Sequence, residues 1–304
     1  MKYSTWLKSI QKASGWSQEE MARELGVSFA TINAWFNNRT EPRKKAAEKI
    51  KILYFDIVGV DSINLDELTL AKENAAKLKT TVKKITEDKA TLDRLTLYLT
   101  YHTNTIEGST MTFADTEAVL FQNKVLANRT QVEQAEIHNH QTVLLWLLGE
   151  LQQKDFTIDE QLIKGLHLRL MNGIITNAGV YRNHGVRIVG TRTIVANHAR
   201  IPSLMEELIR GLDSNPTDLI AEIASTHAAF EQIHPFSDGN GRIGRLIMLA
   251  QALRANHIPP LILRERKFAY YKYLEFAQTR DNKAPLQWFI AESMAAANQL
   301  LFRR

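Results

Sequence analysis

The twelve residues His234-Pro235-Phe236-Ser237-Asp238-Gly239-Asn240-Gly241-Arg242-Ile243-Gly244-Arg245 constrain the fold more than any other stretch. Upstream, residues 218–233 repeat Ile220, Ile223, Ala224, His227, Phe230 and Ile233 near helical spacing. Pro235 disfavours helix at His234, so that helix ends there. Downstream, residues 246–253 are apolar on nearly all sides, as a buried helix would be. Between them, Gly239 and Gly241 let the backbone turn tightly and open its N–H groups to an anion. The loop feeds a helix N-terminus, where free N–H groups and the dipole favour phosphate. Arg242 and Arg245, three apart, share a face of the first turn. His234 offers a proton acceptor near neutral pH and Asp238 a hard oxygen ligand for Mg²⁺. Gly-Asn-Gly alone would be an ordinary helix–loop–helix corner; the combination points to phosphoryl chemistry, which needs a placed base and charge neutralisation on the leaving group.

The same string resembles the Fic-domain motif, His-Pro-Phe-x-Asp/Glu-Gly-Asn-Gly-Arg-x-x-Arg, with every defined position matched. The resemblance, over about residues 90–295, implies a mainly α fold: a Fic-type helical bundle with one β-hairpin flap. It implies transfer of AMP from Mg·ATP to a Ser, Thr or Tyr hydroxyl of a target protein. His234 would be the base and Asp238 the metal ligand. Gly239, Asn240 and Gly241 would cradle phosphates, Asn240 contacting the α-phosphate, with Arg242 and Arg245 on the outer phosphates. In Fic proteins the segment around Phe268–Leu274 lines the adenine pocket, so Tyr270 or Tyr271 would stack on the base. Family members often carry Asn after the alanine that follows; here Gln278 follows Ala277, which leaves nucleotide choice open.

Thr103-Asn104-Thr105-Ile106-Glu107-Gly108 closes a helix predicted from about Leu92 to Glu107 and stopped by Gly108. A carboxylate at a helix C-terminus meets an unfavourable dipole, so a positive partner would help it. The stretch resembles the Fic inhibitory motif, Ser/Thr-x-x-x-Glu-Gly/Asn, in the class where the inhibitory helix precedes the core. That implies a Glu107–Arg245 pair competing with the arginine–phosphate pair. Self-modification at Tyr98 or Tyr101 is a candidate for relieving such inhibition.

Residues 186–195 read as a hairpin around Gly190-Thr191-Arg192, with an open edge that a target segment could extend. Gly179-x-Tyr181-Arg182 ahead of it resembles the Fic flap, so Val186, Ile188, Thr191 and Thr193 are the expected target-binding residues. Helices expected at about 131–152 and 157–171 carry His138, His140 and His167, which read as structural.

Residues 1–55 hold ten Lys and Arg against five Glu, so the chain's net charge of +5 resides there. Ser17 with Glu20 is a capping box, Met21, Ala22 and Leu25 form an inner face, Gly26 turns, and Ser28 caps a helix whose Ile32 and Trp35 point inward. The pattern resembles the Xre/Cro-type helix-turn-helix. That places Phe29, Ala30, Thr31, Asn33, Asn37 and Arg39 on or beside a recognition helix in the DNA major groove. The expected organisation is a helix-turn-helix domain at 1–55, a linker at 56–75, and a Fic domain at 76–304 with the inhibitory helix near 92–108. The absence of cysteine excludes disulfides and thiolate metal sites. No apolar run is long enough to span a membrane, and residues 1–6 lack a signal core, so a cytoplasmic protein is expected. Removal of AMP at the same site, and a mainly DNA-binding regulator, stand as alternatives; homo-oligomerisation stays open.

Overall fold

A computed structural model describes residues 3–58, 65–188, 191, 193–212 and 216–302. Fifteen α-helices are present among them. The N-terminal module comprises α1 (Tyr3–Ser14), α2 (Gln18–Leu25), α3 (Phe29–Phe36) and α4 (Lys44–Ile57). Next come α5 (Leu65–Ala76), α6 (Val82–Glu87), α7 (Lys89–Glu107), α8 (Phe113–Gln122), α9 (Gln131–Glu150) and α10 (Glu160–Leu170). The chain ends with α11 (Ile201–Arg210), α12 (Leu219–Ile233), α13 (Asn240–Arg254), α14 (Lys267–Thr279) and α15 (Ala284–Phe302). The only β pairing among the described residues is an isolated bridge between Lys79 and His257. No helix there is long and apolar enough to cross a membrane.

Local chemistry sets the N-terminal module. Ser17 and Glu20 cap α2 reciprocally, Gly26 takes the left-handed conformation (φ 69°), and the Ser28 side chain accepts the Thr31 N–H to start α3. Met21, Ala22, Leu25, Ile32 and Trp35 are buried, as the spacing predicts. Their core runs without a break into residues of α14 and α15, including Tyr273, Phe289 and Ile290. Arg266, at the start of α14, bridges Glu48 of α4 (3.4 Å) and Glu292 of α15 (2.9 Å) across this junction.

Two expectations change. The stretch expected as linker contains α5, which packs on α15 and buries Leu68 and Ala75, seven residues apart on one face; residues 59–64 lie outside the described residues. No described residue of 186–195 belongs to a strand; Val189, Gly190 and Arg192 of the expected hairpin lie outside the described residues. Side chains replace the expected ladder: Thr191 Oγ1 donates to Glu275 (3.4 Å) and Thr193 Oγ1 to Gln278 (2.8 Å), both on α14.

Candidate active site

α12 and α13 pack against each other, and the loop between them carries the twelve-residue stretch. Asp218 caps the start of α12, and His234 ends it in the left-handed region (φ 51°). A non-glycine residue there is strained and needs support. Arg182 supplies it. Its buried guanidinium donates to the carbonyls of His234 (2.7 Å), Ile233 (3.3 Å), Ala196 (2.7 Å) and His184 (2.6 Å), and its own N–H reaches Pro235 O (2.9 Å). The loop is braced again by His167. Its Nδ1 accepts the Gly179 N–H (2.7 Å), so Nε2–H donates to Asp238 O (3.0 Å), while the ring stacks on Phe236 at 3.7 Å. Burial drives His167 down to about 4, which keeps it neutral. His140 is also buried, paired with Thr100 Oγ1.

His234 Nδ1 lies 3.3 Å from the Glu231 carbonyl, which can only accept; Nδ1 therefore carries the hydrogen and Nε2 is left as a lone-pair acceptor. Burial lowers the His234 pKa, with Arg182 acting in the same direction and the Glu231 carbonyl, Glu107 and Asp238 opposing. The net lowering favours the neutral imidazole, the form able to accept a proton.

The first turn of α13 follows Gly239, itself left-handed (φ 78°) and pressed against Met171, whose Sδ a Cβ would meet at 2.9 Å. Both ends of the Asn240 amide are tied to the Phe236 backbone at 2.9 Å. That buried side chain braces the loop, and the first-turn N–H groups of α13 are the further candidate anion donors. The two arginines face different acids. Arg245 donates from Nη2 to Glu107 Oε1 (2.5 Å) and from Nε to Thr103 Oγ1 (2.7 Å) of α7. Arg242 donates to Glu136 Oε1 of α9 (2.6 Å) and is 2% exposed. Burial acts to lower the Arg245 pKa, but the Glu107 carboxylate together with Tyr270 and Tyr271 turns the net direction up. Gly241 leaves room for this pair: a Cβ there would run into Glu107 Oε1.

A cleft of about 530 Å³ brings together Glu107, His234, Gly241, Tyr270, Tyr271, Ile188 and Thr191. Tyr271 is 40% exposed and can offer a ring face; Tyr270 is buried, its hydroxyl 2.6 Å from His227 Nε2. Gln278 also lines the cleft, but its amide is engaged by Thr193 and the Ala228 carbonyl (3.1 Å). Val186 is half-buried and Thr193 buried. Asp238 accepts the Gly239 N–H (2.6 Å) and its side chain is 62% exposed, so one carboxylate faces solvent at the mouth of the loop. Among the described residues no group of three or more His, Cys, Asp or Glu could hold a metal by itself. A single carboxylate plus substrate phosphates is nonetheless a usual Mg²⁺ arrangement. Tyr101 accepts from Arg264 (2.7 Å), and Tyr98 packs against Phe113 and His102.

In the N-terminal module Phe29 is 48% exposed, and Asn37 and Arg39 are exposed. Asn33 donates to Gln18 (3.0 Å) and Thr31 pairs with Ser28 (2.8 Å), so these two are partly occupied. The sequence assigns no site role to Arg182, Glu136, Thr103, His227 or Glu231. Arg182, inside the Gly-x-Tyr-Arg string, and Thr103, at the head of the stretch that ends in Glu107-Gly108, carry a local signal; the others become neighbours through tertiary packing.

Residues 157–252 match the model of the Fic/DOC family and residues 7–51 a helix-turn-helix model. Protein adenylyltransferase Fic of Drosophila melanogaster is 31% identical over 197 residues, covering 63% of this chain and 39% of that protein. The protein of the same name in Drosophila yakuba is 30% identical over the same length. The chain thus spans about 39% of the length of these curated relatives. Among solved structures, Fic-1 from C. elegans (residues 134–508) aligns with a TM-score of 0.66 at 23% identity, covering 93% of this chain and 84% of that one. A Fic domain containing signaling protein from Bacteroides thetaiotaomicron gives 0.63 at 22% identity, covering 79% and 98%.

Proposed function

This chain is a Fic protein with an N-terminal helix-turn-helix, and we propose that it is a protein adenylyltransferase restrained by its own Glu107. The observation that carries the reading is the cleft that brings His234, with Nε2 unencumbered, together with Gly241 in the first turn of α13 and with Glu107, the carboxylate that holds Arg245. A target Ser, Thr or Tyr hydroxyl would attack the α-phosphorus of ATP. Its proton passes to His234 Nε2 as the oxygen–phosphorus bond forms, and the bond to the β-phosphate oxygen breaks to release pyrophosphate. The α13 N–H groups and Arg245 would neutralise charge on the phosphates. Tyr271 supports base stacking, and Ile188 with Thr191 would line the target side. Asp238 is the residue to hold Mg²⁺ together with the phosphates, and the ion would supply further charge neutralisation when bound.

The Glu107–Arg245 pair supports self-restraint, because a carboxylate that holds Nη2 competes with a γ-phosphate for the same charged donor. Residues 1–55 are proposed to bind duplex DNA through Phe29, Asn37 and Arg39, and the domain is proposed to act in the cytoplasm. Removal of AMP by the same site is the second reading, favoured by a carboxylate within the cleft that could orient water. Incubation with labelled ATP decides the main reading: His234→Ala should abolish label transfer while keeping the melting temperature, and retained transfer would reject the base. Release of AMP from a pre-modified target, with no forward transfer, would instead favour the second.

A further inference from the structure

His227, Glu231 and His234 follow one another down one face of α12 and its cap, at i, i+4 and i+7. Glu231 is 5% exposed, its Oε1 has no hydrogen-bond partner, and neither does His227 Nδ1. Gly244 makes the room: a Cβ there would lie 2.5 Å from Glu231 Oε1 and 2.9 Å from His227 Nδ1. Glycine within a helix is less favourable than alanine. Helix α13 carries two, and each has a carboxylate resting against it: Glu107 at Gly241 and Glu231 at Gly244. The second oxygen of Glu231 is 3.9 Å from His234 Nδ1, the one carboxylate within ion-pair reach of that ring among the described residues. Glutamate is almost never fully buried unless paired, and packing alone would be served better by an apolar residue. The cost of burying this one is matched by its place beside the imidazole.

We propose that Glu231 is a positioning residue for the base: from its seat over Gly244, its carboxylate receives Nδ1–H of His234 and stabilises the imidazolium formed as Nε2 takes the hydroxyl proton. The inference rests on the reading of His234 as base. In the resting site Nδ1–H faces the Glu231 carbonyl in a long contact, and a small rotation of the ring exchanges that carbonyl for the carboxylate. The proton leaves the hydroxyl for Nε2, pyrophosphate departs with the electron pair of the broken bond, and Glu231 itself neither gains nor loses a proton.

Only the ionised carboxylate can do this. Burial raises Glu231 to about 8, Arg245 on α13 opposing and Glu107 on α7 adding to the rise. The other groups facing it are His227 and His234 on its own helix and Tyr270 and Tyr271 on α14. Burial keeps His227 neutral, near 3, and pushes both tyrosines above the usual range. Glu231 is therefore the group in this cluster that changes charge between neutral and mildly alkaline pH.

The test is Glu231→Gln in the full chain, with transfer of labelled AMP measured in a Glu107→Gly background. The two proteins should agree within about twofold at pH 6.5 and differ by about tenfold at pH 9, with KM for ATP unchanged. In the otherwise unaltered chain, the ring ¹⁵N shifts of His234 should show a second inflection near pH 8 that Glu231→Gln removes. Gly244→Ala, whose Cβ displaces the carboxylate, should remove the same inflection. A deficit equal at every pH, with no second inflection in the unaltered chain, would assign Glu231 to packing and overturn the proposal. Absence of AMP transfer from the Glu107→Gly chain to any hydroxyl would reject the adenylyltransferase reading by itself, and the nitrogen shifts would still decide the Glu231–His234 relationship.

Discussion

Arg245 and Glu107 meet at 2.5 Å across 138 residues of sequence, and Thr103, one helical turn before Glu107, holds the same guanidinium through Nε. One helix end thus engages Nε and Nη2 of the arginine, while Nη1 has no hydrogen-bond partner. Replacing Glu107 with glycine removes the carboxylate from Nη2 while leaving the Thr103 contacts. Transfer of AMP to the chain itself or to a target should then rise by about tenfold or more, since charge-assisted hydrogen bonds are the strong ones. Unchanged incorporation of label would remove Glu107 from any inhibitory role.

Arg182 should matter more than its place outside the twelve-residue motif suggests. Arg182→Ala orphans four carbonyls around His234, that of Ile233 among them. We expect a loss of about 3 kcal/mol in stability from hydrogen bonds to a charged donor, read by urea denaturation. Transfer should also fall in protein that remains folded, because the left-handed backbone of His234 loses its brace. Wild-type kinetics in that variant would show that the loop holds itself.

Acid should destabilise the chain through its buried imidazoles. Burial lowers His140 to about 3, with Arg242 and Arg245 adding to the effect. Between the ordinary histidine pKa and that value the unfolded chain binds a proton that the folded chain refuses, so stability falls as pH drops from about 6.5 toward 3. His140→Gln should flatten the melting-temperature profile across that window. An equally steep profile would place the acid sensitivity elsewhere.

DNA binding can be read by gel shift on the region upstream of the chain's own gene. Arg39→Ala should weaken binding on all sequences and reduce the salt slope by about one if it contacts phosphate; Asn37→Ala should relax preference at one position if it reads a base. Failure of the unaltered chain to shift any duplex at low salt would reduce residues 1–55 to a docking module.

What could be read in advance was what is local. The caps at Ser17, Glu20 and Ser28, the stop at Gly108 and the loop glycines act within a few residues, and each lies where its spacing indicates. Glu107 facing Arg245 came from resemblance, with the dipole argument alone asking for a cation. The remainder depends on distance in sequence. Glu136 reaches Arg242 across 106 residues, and Thr193 finds Gln278 across 85 in place of a partner strand. Asn240 gives no sign in sequence that its amide turns inward on Phe236. Glu231 looks like any polar residue on an amphipathic helix until Gly244 is seen to make space for it.

The shared interior of α4, α14 and α15 couples two tasks in one solid body. Arg266 is clasped on one side by Glu48 from the N-terminal module, and one turn onward the same helix presents Tyr270 and Tyr271 to the cleft. A chain cut away at residue 55 would bare that wall to water. Whatever the first four helices grip, their partner therefore arrives with the cleft at a fixed bearing, and the geometry of delivery is decided before any other molecule enters.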